Sequence, residues 1–184
     1  MIRYISDMHF DSSDIIAYDN RPFDSVEEMN EILISNWNRV VGEDDLTYIV
    51  GDFCAGDAAR WREILNQLKG RKALVLGNHD DRDVVEAVRD LFEDVAEYRE
   101  IVDGEEHVVL CHYPILAFHD HYFHWVHLHG HVHNAFEANI IANAKRLQKQ
   151  LYVRDDVCRM TNVGAMMPYM DFAPRSLEEL KAQL

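Results

Sequence analysis

Val75-Leu76-Gly77-Asn78-His79-Asp80 is the stretch whose reading decides the fold. The apolar run from Ala73 to Leu76 predicts a buried strand. It stops at a glycine, which allows a sharp turn without a Cβ penalty. Three chemically competent side chains follow: a neutral amide, an imidazole and a carboxylate. Polar clusters at the exits of apolar strands are where α/β proteins place chemistry, because a rigid sheet holds the loop. On its own the stretch also fits a polar turn capping the next helix, so the other strand exits matter.

Working outward, Ile2 to Ser6 reads as a strand ending at Asp7-Met8-His9, followed by a polar loop through Asn20-Arg21-Pro22-Phe23. Ser25 and Glu28 match a capping box. Val26, Met29, Ile32, Leu33, Trp37 and Val40 recur at helical spacing, predicting a helix over 26–40. Leu46 to Val50 is a strand ending at Gly51-Asp52, and helices are expected over 58–69 and 82–91. This βαβαβα order implies parallel strands with helical crossovers. The second half is strand-rich. Strands are expected over 95–101 and 107–110 with a hairpin at Asp103-Gly104, then over 125–128, 151–153 and 159–163. A short helix or mobile loop is expected over 137–148, and Ser176-Leu177-Glu178-Glu179 opens a final helix. Two sheets packed face to face with helices outside are the architecture this order suggests.

The 184 residues are most simply one domain. With 48% hydrophobic and 28% charged residues, the composition is that of an ordinary globular protein. No stretch has the length of a membrane span and no basic-then-apolar leader opens the chain, so the cytoplasm is the expected compartment. Cys54, Cys111 and Cys158 lack CxxC spacing and read as reduced thiols. A net charge of −15 disfavours a long nucleic-acid duplex as partner. Seven of the eleven histidines lie between residues 119 and 133. Clustered imidazoles in an acidic chain suggest bound divalent cations.

Every expected strand exit carries metal-competent groups: Asp7 and His9, Asp52, Asn78 and His79, His112, then His131 and His133. Alternation along an extended segment would put Asp7 with His9, and His131 with His133, on common sides. Seven donors exceed one ion's usual complement, so the count favours two, and mixed oxygen and imidazole donors suit Mn²⁺, Fe, Zn²⁺, Ni²⁺ or Co²⁺.

The ordered series Asp-x-His, Gly-Asp, Gly-Asn-His-Asp, His, Gly-His-x-His, spanning residues 7–133, resembles the calcineurin-like metallophosphoesterase superfamily. Asn20-Arg21-Pro22-Phe23 and His127-Leu128-His129-Gly130-His131 also resemble its compact bacterial and phage branch. The resemblance implies an α/β fold, a four-layer α/β/β/α sandwich with two mixed sheets, over residues 1–184. It implies one ion held by Asp7, His9, Asp52 and His133. A second would be held by Asp52, Asn78, His112 and His131, with Mn²⁺ the first expectation. It further implies hydrolysis of a small phosphomonoester or phosphodiester, nucleotides included, by a metal-bridging hydroxide, with His79 contacting the phosphate or protonating the leaving oxygen. Ala55 stands where related phosphoprotein phosphatases carry an acid that orients the catalytic histidine, which leaves Asp80 or Asp57 as the substitute. Arg21 either forks onto the substrate phosphate or forms a salt bridge. His119, His121 and His124 are expected in a solvated loop, and His127 or His129 behind the ligands. A metal-stabilised scaffold without catalysis and a nuclease for short or single-stranded substrates are the competing readings.

Overall fold

The computed structural model describes residues 1–184. Three short strands with buried carboxyl halves and a half-buried edge strand make the first sheet. β1 (Ile2–Ile5), β2 (Leu46–Ile49), β3 (Arg71–Val75) and β4 (Asp94–Ala96) pair in that order, all parallel, with Ile5 opposite Ile49 and Ile49 opposite Leu74. Parallel pairing requires crossovers, whose helices cover one face of the sheet while the second sheet covers the other. α1 (Asp14–Tyr18), α2 (Val26–Val40), α3 (Ala58–Gln67) and α4 (Arg82–Ala87) lie between these strands. α2 and α3 bury Leu33, Trp37, Trp61 and Ile64 in the core. The second sheet, β5 (Tyr98–Asp103), β6 (Glu106–Cys111), β7 (Val126–His129) and β8 (Arg159–Asn162), is mixed: β5 and β6 run antiparallel, and β6, β7 and β8 run parallel. Outside it lies α5 (Phe136–Tyr152), and α6 (Leu177–Leu180) closes the chain with a complete Ser176/Glu179 capping box.

Period-two alternation explains the layering. Val108, Leu110, Val126 and Leu128 face the first sheet, whose Tyr4 reaches back to Asp103 of β5, while Ile5, Ile49 and Leu74, one residue out of step with Tyr4, face its helices; all belong to one continuous core. Val109 and Met160 point the other way and form a smaller cluster with Phe118 and Cys158, covered by Ile141 of α5. Antiparallel bridging of Tyr4 to Arg175 and parallel bridging of Ser6 to Gly164 occupy the outer edge of β1. That antiparallel bridge is the one departure from parallel pairing in the first sheet. The three cysteines are free and buried, and no helix is long and apolar enough to cross a membrane.

Several local expectations are corrected. The expected strand over 95–101 is two strands in different sheets, with Glu97 carrying the chain across. A continuous alternating pattern cannot reveal such a crossing, because both halves keep period two. The expected strand over 151–153 is the last turn of α5, with Val153 as its left-handed C-cap. Three apolar residues are too few to distinguish a strand from a helix end. The loop expected before Asn20 contains α1, and helix 82–91 ends at Ala87, followed by a 3₁₀ turn over Arg89–Leu91. Ser25 caps α2 as expected, but the Glu28 carboxylate accepts from Asp24 N rather than closing the box on Ser25.

His127 and His129 alternate out of the inter-sheet core and are buried against the outer layer. His127 donates from Nδ1 to Val109 O and accepts at Nε2 from Ile115 N, both 3.1 Å; His129 donates from Nδ1 to Gly130 O. Burial depresses His127 to about 4 and His129 to about 3. Both rings are therefore neutral in the fold, while the unfolded chain takes up protons near 6.5. Stability contributed by the neutral rings is present above about 6.5 and is lost as pH falls toward 4 and 3. Each ring should cost about 2 kcal/mol at pH 5 relative to pH 7. Denaturant titration should show this loss, and in His127→Gln the difference between the two pH values should shrink by one ring's share, whatever that variant's stability at pH 7.

Candidate metal centre

Strands β1, β2, β3, β6 and β7 deliver their exit residues to one edge of the sandwich. The donors reach each other through unusual backbone. Asp7, His9, Asp52, His131 and His133 all have positive φ, between 43° and 70°. Left-handed backbone is costly for residues with a Cβ, by about 1 kcal/mol or more each, and such strain clusters where function over-determines geometry. It also replaces the extended alternation expected of both Asp-x-His and His-x-His. Asp7 and His9 do converge, with carboxylate and imidazole 4.0 Å apart. His131 and His133 separate, His133 Nε2 lying 3.3 Å from Asp7 Oδ1 and His131 Nδ1 lying 2.9 Å from Asn78 Oδ1.

Asp52 stands between the two groups. Its Oδ2 is 3.6 Å from His9 Nε2 and 3.2 Å from His112 Nε2, while Oδ1 accepts from His79 N. On one side, donor atoms of Asp7, His9, Asp52 and His133 all lie within 4.8 Å of one another, all from buried residues. On the other, Asn78 Oδ1 lies 3.1 Å from His112 Nε2. His112 is oriented by donating from Nδ1 to Val50 O.

The buried carboxylates are held ionised. Burial opposes the charge on Asp7, but bonds from His133 and Ser6 and the nearby His112 outweigh it and hold the carboxyl well below its usual range. Asp52 is lowered likewise, with His112 and the His79 amide opposing burial. For His133, burial is outweighed by Asp19 and Asp7, which raise it to about 9. His9 is the converse: burial lowers it to about 4 despite Asp52 and Asp7, so its ring is neutral. Its buried Nε2 has no hydrogen-bond partner. A neutral imidazole nitrogen facing two carboxylates with no partner is what a cation ligand requires. The cradle is close: a Cβ on Gly77 would stand 2.2 Å from Asp52 Oδ1, and one on Gly130 2.2 Å from Asp7 Oδ2. The donors thus fit a divalent cation. Cys54 borders the site, but burial pushes its thiol up to about 12.

The donors open into a cavity of about 660 Å³ with His9, Asp52, Asn78, His79, His131 and His133 on its floor, Ser12, Asp14, Ile15 and Tyr18 on the α1 wall, and Cys54 and Ala55 opposite. No lysine or arginine lines it. His79 and Asn78 are exposed within it, and the His79 ring is edge-on to His9 at 5.4 Å. Tyr18 packs beside His133 and Tyr113 beside His131.

Three expected roles are corrected. Arg21 does not face a substrate: its side chain is fully buried and all five N–H groups are engaged, by Asp19, Asp7 O, Met8 O and the Met29 sulfur. It braces the strained Asp7–His9 turn. Asp80 is not turned toward the His79 ring. It accepts from the amides of Asp52, Phe53 and Gly77, and so ties the β2 and β3 exits together. Asp57 caps α3 by accepting from Arg60 N. His119 and His124 pair with Glu100 and Asp156 outside the cavity, His121 bonds Phe118 O, and Phe53 is core.

The sequence reading missed Asp19. Its Oδ1 accepts from His133 Nδ1 at 2.8 Å and its Oδ2 pairs with Arg21. A carboxylate behind a ligating histidine fixes the ring's tautomer and direction. The available signal was its place two residues before Arg21, in a loop otherwise read only for the arginine. Asp19→Asn should leave Arg21 as an uncompensated buried charge and cost about 3–5 kcal/mol in a denaturant titration, while Asp14→Asn on the exposed wall costs little.

A family model described as calcineurin-like phosphoesterase matches residues 2–160. An uncharacterised protein of Methanocaldococcus jannaschii is 48% identical over 81 residues, covering 43% of this chain; the match spans only 46% of that protein's own length. The gene 66 protein of Mycobacterium phage L5 is 31% identical over 159 residues, covering 71% of this chain and 76% of its own. Among solved structures, a protein of unknown function from Aquifex aeolicus, AQ665, is similar along 100% of this chain and 99% of its own, with a TM-score of 0.72 and 25% identity. With donor groups gathered at one sheet edge and the family model matching residues 2–160, this chain belongs to the calcineurin-like phosphoesterase family.

Proposed function

We propose that residues 1–184 act as one metallophosphoesterase domain, a dinuclear metal-dependent hydrolase of a small phosphomonoester or phosphodiester, nucleotides included. The observation that carries this reading is Asp52, whose Oδ2 faces His9 on one side and His112 on the other at the floor of an open cavity. Asp7, His9, Asp52 and His133 would hold one divalent ion, and Asp52, Asn78, His112 and His131 the second, with Mn²⁺ first among Mn²⁺, Fe, Zn²⁺, Ni²⁺ and Co²⁺. Such a pair supplies Lewis acidity toward a phosphoryl group and a nucleophile at neutral pH.

The chain's own residues supply the rest. Asn78 contributes an amide oxygen without negative charge, which favours an anionic substrate beside it. His79 is exposed over the same floor, anchored through its backbone to Asp52 while its ring stays free of hydrogen bonds to protein. It is placed to contact a phosphate oxygen or to pass a proton to the leaving oxygen. With Arg21 saturated and no lysine or arginine in the lining, binding of the phosphate depends on the ions and His79. The same lack of lysine and arginine, with the net charge of −15, disfavours a long duplex. Three free buried thiols suit a reducing compartment, and the reading assigns the cytoplasm.

A screen of mono-, di- and cyclic phosphate esters, each with Mn²⁺, Ni²⁺, Co²⁺, Fe²⁺ or Zn²⁺, tests this. Turnover should require added metal. Asp52→Asn should bind fewer than two ions by calorimetry, and His79→Ala should keep both ions yet slow the reaction by about 10²–10⁴-fold. No turnover with any ester and any ion, or loss of the ions in His79→Ala, would overturn the assignment.

A further inference from the structure

α5 has its amphipathicity turned outward. None of its seventeen residues is buried. The side toward the body is defined by Ile141 on the Val109 cluster, Lys145 bonded to Met160 O and Gln148 bonded to Leu116 O. At 100° per residue, Phe136, Ile140, Leu147 and Leu151 fall within about 60° of one another, on a separate face about 120° round from the body side. They are exposed at 73, 51, 54 and 72%. A solvated helix face normally carries polar residues, so a stripe of four large apolar ones marks a surface that is covered in use.

Three observations say by what. First, the stripe is a palindrome in spacing, 4, 7 and 4 residues, centred between Asn143 and Ala144. Only a two-fold, antiparallel partner with the same spacing matches every large side chain to another: Phe136 meets Leu151, and Ile140 meets Leu147, with small residues at the crossing. Second, charge is divided along the helix. Its N-terminal half carries Glu137 and no cation, while Lys145, Arg146, Lys149 and then Arg154 follow in the C-terminal half and just beyond. Antiparallel pairing sets the basic half of one copy against the cation-free half of the other, whereas parallel pairing would stack the cations. Third, half to three-quarters of each of the four side chains is exposed, and with the exposed flanks Asn139, Asn143, Arg146 and Gln150 a pair of such faces approaches the roughly 1,200 Å² of a stable interface.

We propose that α5 is a dimerisation seam that docks antiparallel on α5 of a second copy of this chain. An anionic membrane is the poorer occupant, because the remainder of a chain with net charge −15 would be repelled by it.

Sedimentation equilibrium of the full chain should show a concentration-dependent dimer. Leu147→Asp should weaken dimerisation by at least about 100-fold, since it buries an unpaired charge at the seam. Its circular dichroism and denaturation midpoint should be unchanged, because Leu147 is not buried in the fold. Oxidation of Ile140→Cys/Leu147→Cys should give a cross-linked dimer, while Ile140→Cys alone should not, as like positions lie about 10 Å apart along the axis. A monomeric wild type, a dimer that survives Leu147→Asp, efficient cross-linking by Ile140→Cys alone, or anionic-vesicle binding abolished by Leu147→Asp would each overturn the proposal.

Discussion

Carboxylates buried side by side are the constraint around which this molecule is arranged. Asp7 and Asp52 are both removed from solvent at the same sheet edge, and each raises the cost of ionising the other. Burying one charge without compensation costs several kcal/mol, so two together demand a dense set of partners. The fold supplies Ser6 and the His131 amide to Asp7, the His79 amide to Asp52, and the His112 and His133 rings beside them. What it leaves unfilled is His9 Nε2, and that single orphan atom locates where further positive charge belongs.

Behind the donors stands a second tier that never touches the cavity contents. Arg21 grips the carbonyls of Asp7 and Met8, Asp19 holds both Arg21 and His133, and Asp80 gathers three amides from the β2 and β3 exits. These bonds offset the strain of five donors in left-handed backbone. They also explain why polar residues near a ligand motif are poor guides to substrate contacts. Arg21 has the chemistry to fork a phosphate, but its donors are spent on the Asp19 carboxylate and on the carbonyls of Asp7 and Met8.

Sheet exits were legible because short apolar runs ending in Gly-Asp, Gly-Asn-His-Asp or Gly-His-x-His announce both a strand and its stop. The split of residues 95–101 between two sheets was not, since alternation is the same on either side of Glu97. Nor was the length of α5, whose last apolar triplet, Leu151 to Val153, fits a strand as well as a helix end. Its outward-facing apolar stripe was hidden for the same reason: periodicity reports that a helix has an apolar face, not which way that face points.

By itself the sequence determined the parallel first half, the hairpin, and the residues that gather at one edge, because strand period and glycine-marked exits are local properties. The division of the donors around Asp52 came only with the resemblance, and the tertiary structure supplied its physical means: left-handed turns at His131 and His133 send those two rings to opposite sides, while Asp7 and His9 converge as alternation expects. Only the tertiary structure set Arg21 and Asp80 to bracing, and brought Asp19 behind His133 across 114 residues of chain. Those assignments depend on which buried charge lies next to which, and charge proximity between distant segments is written in the packing rather than in the order of residues.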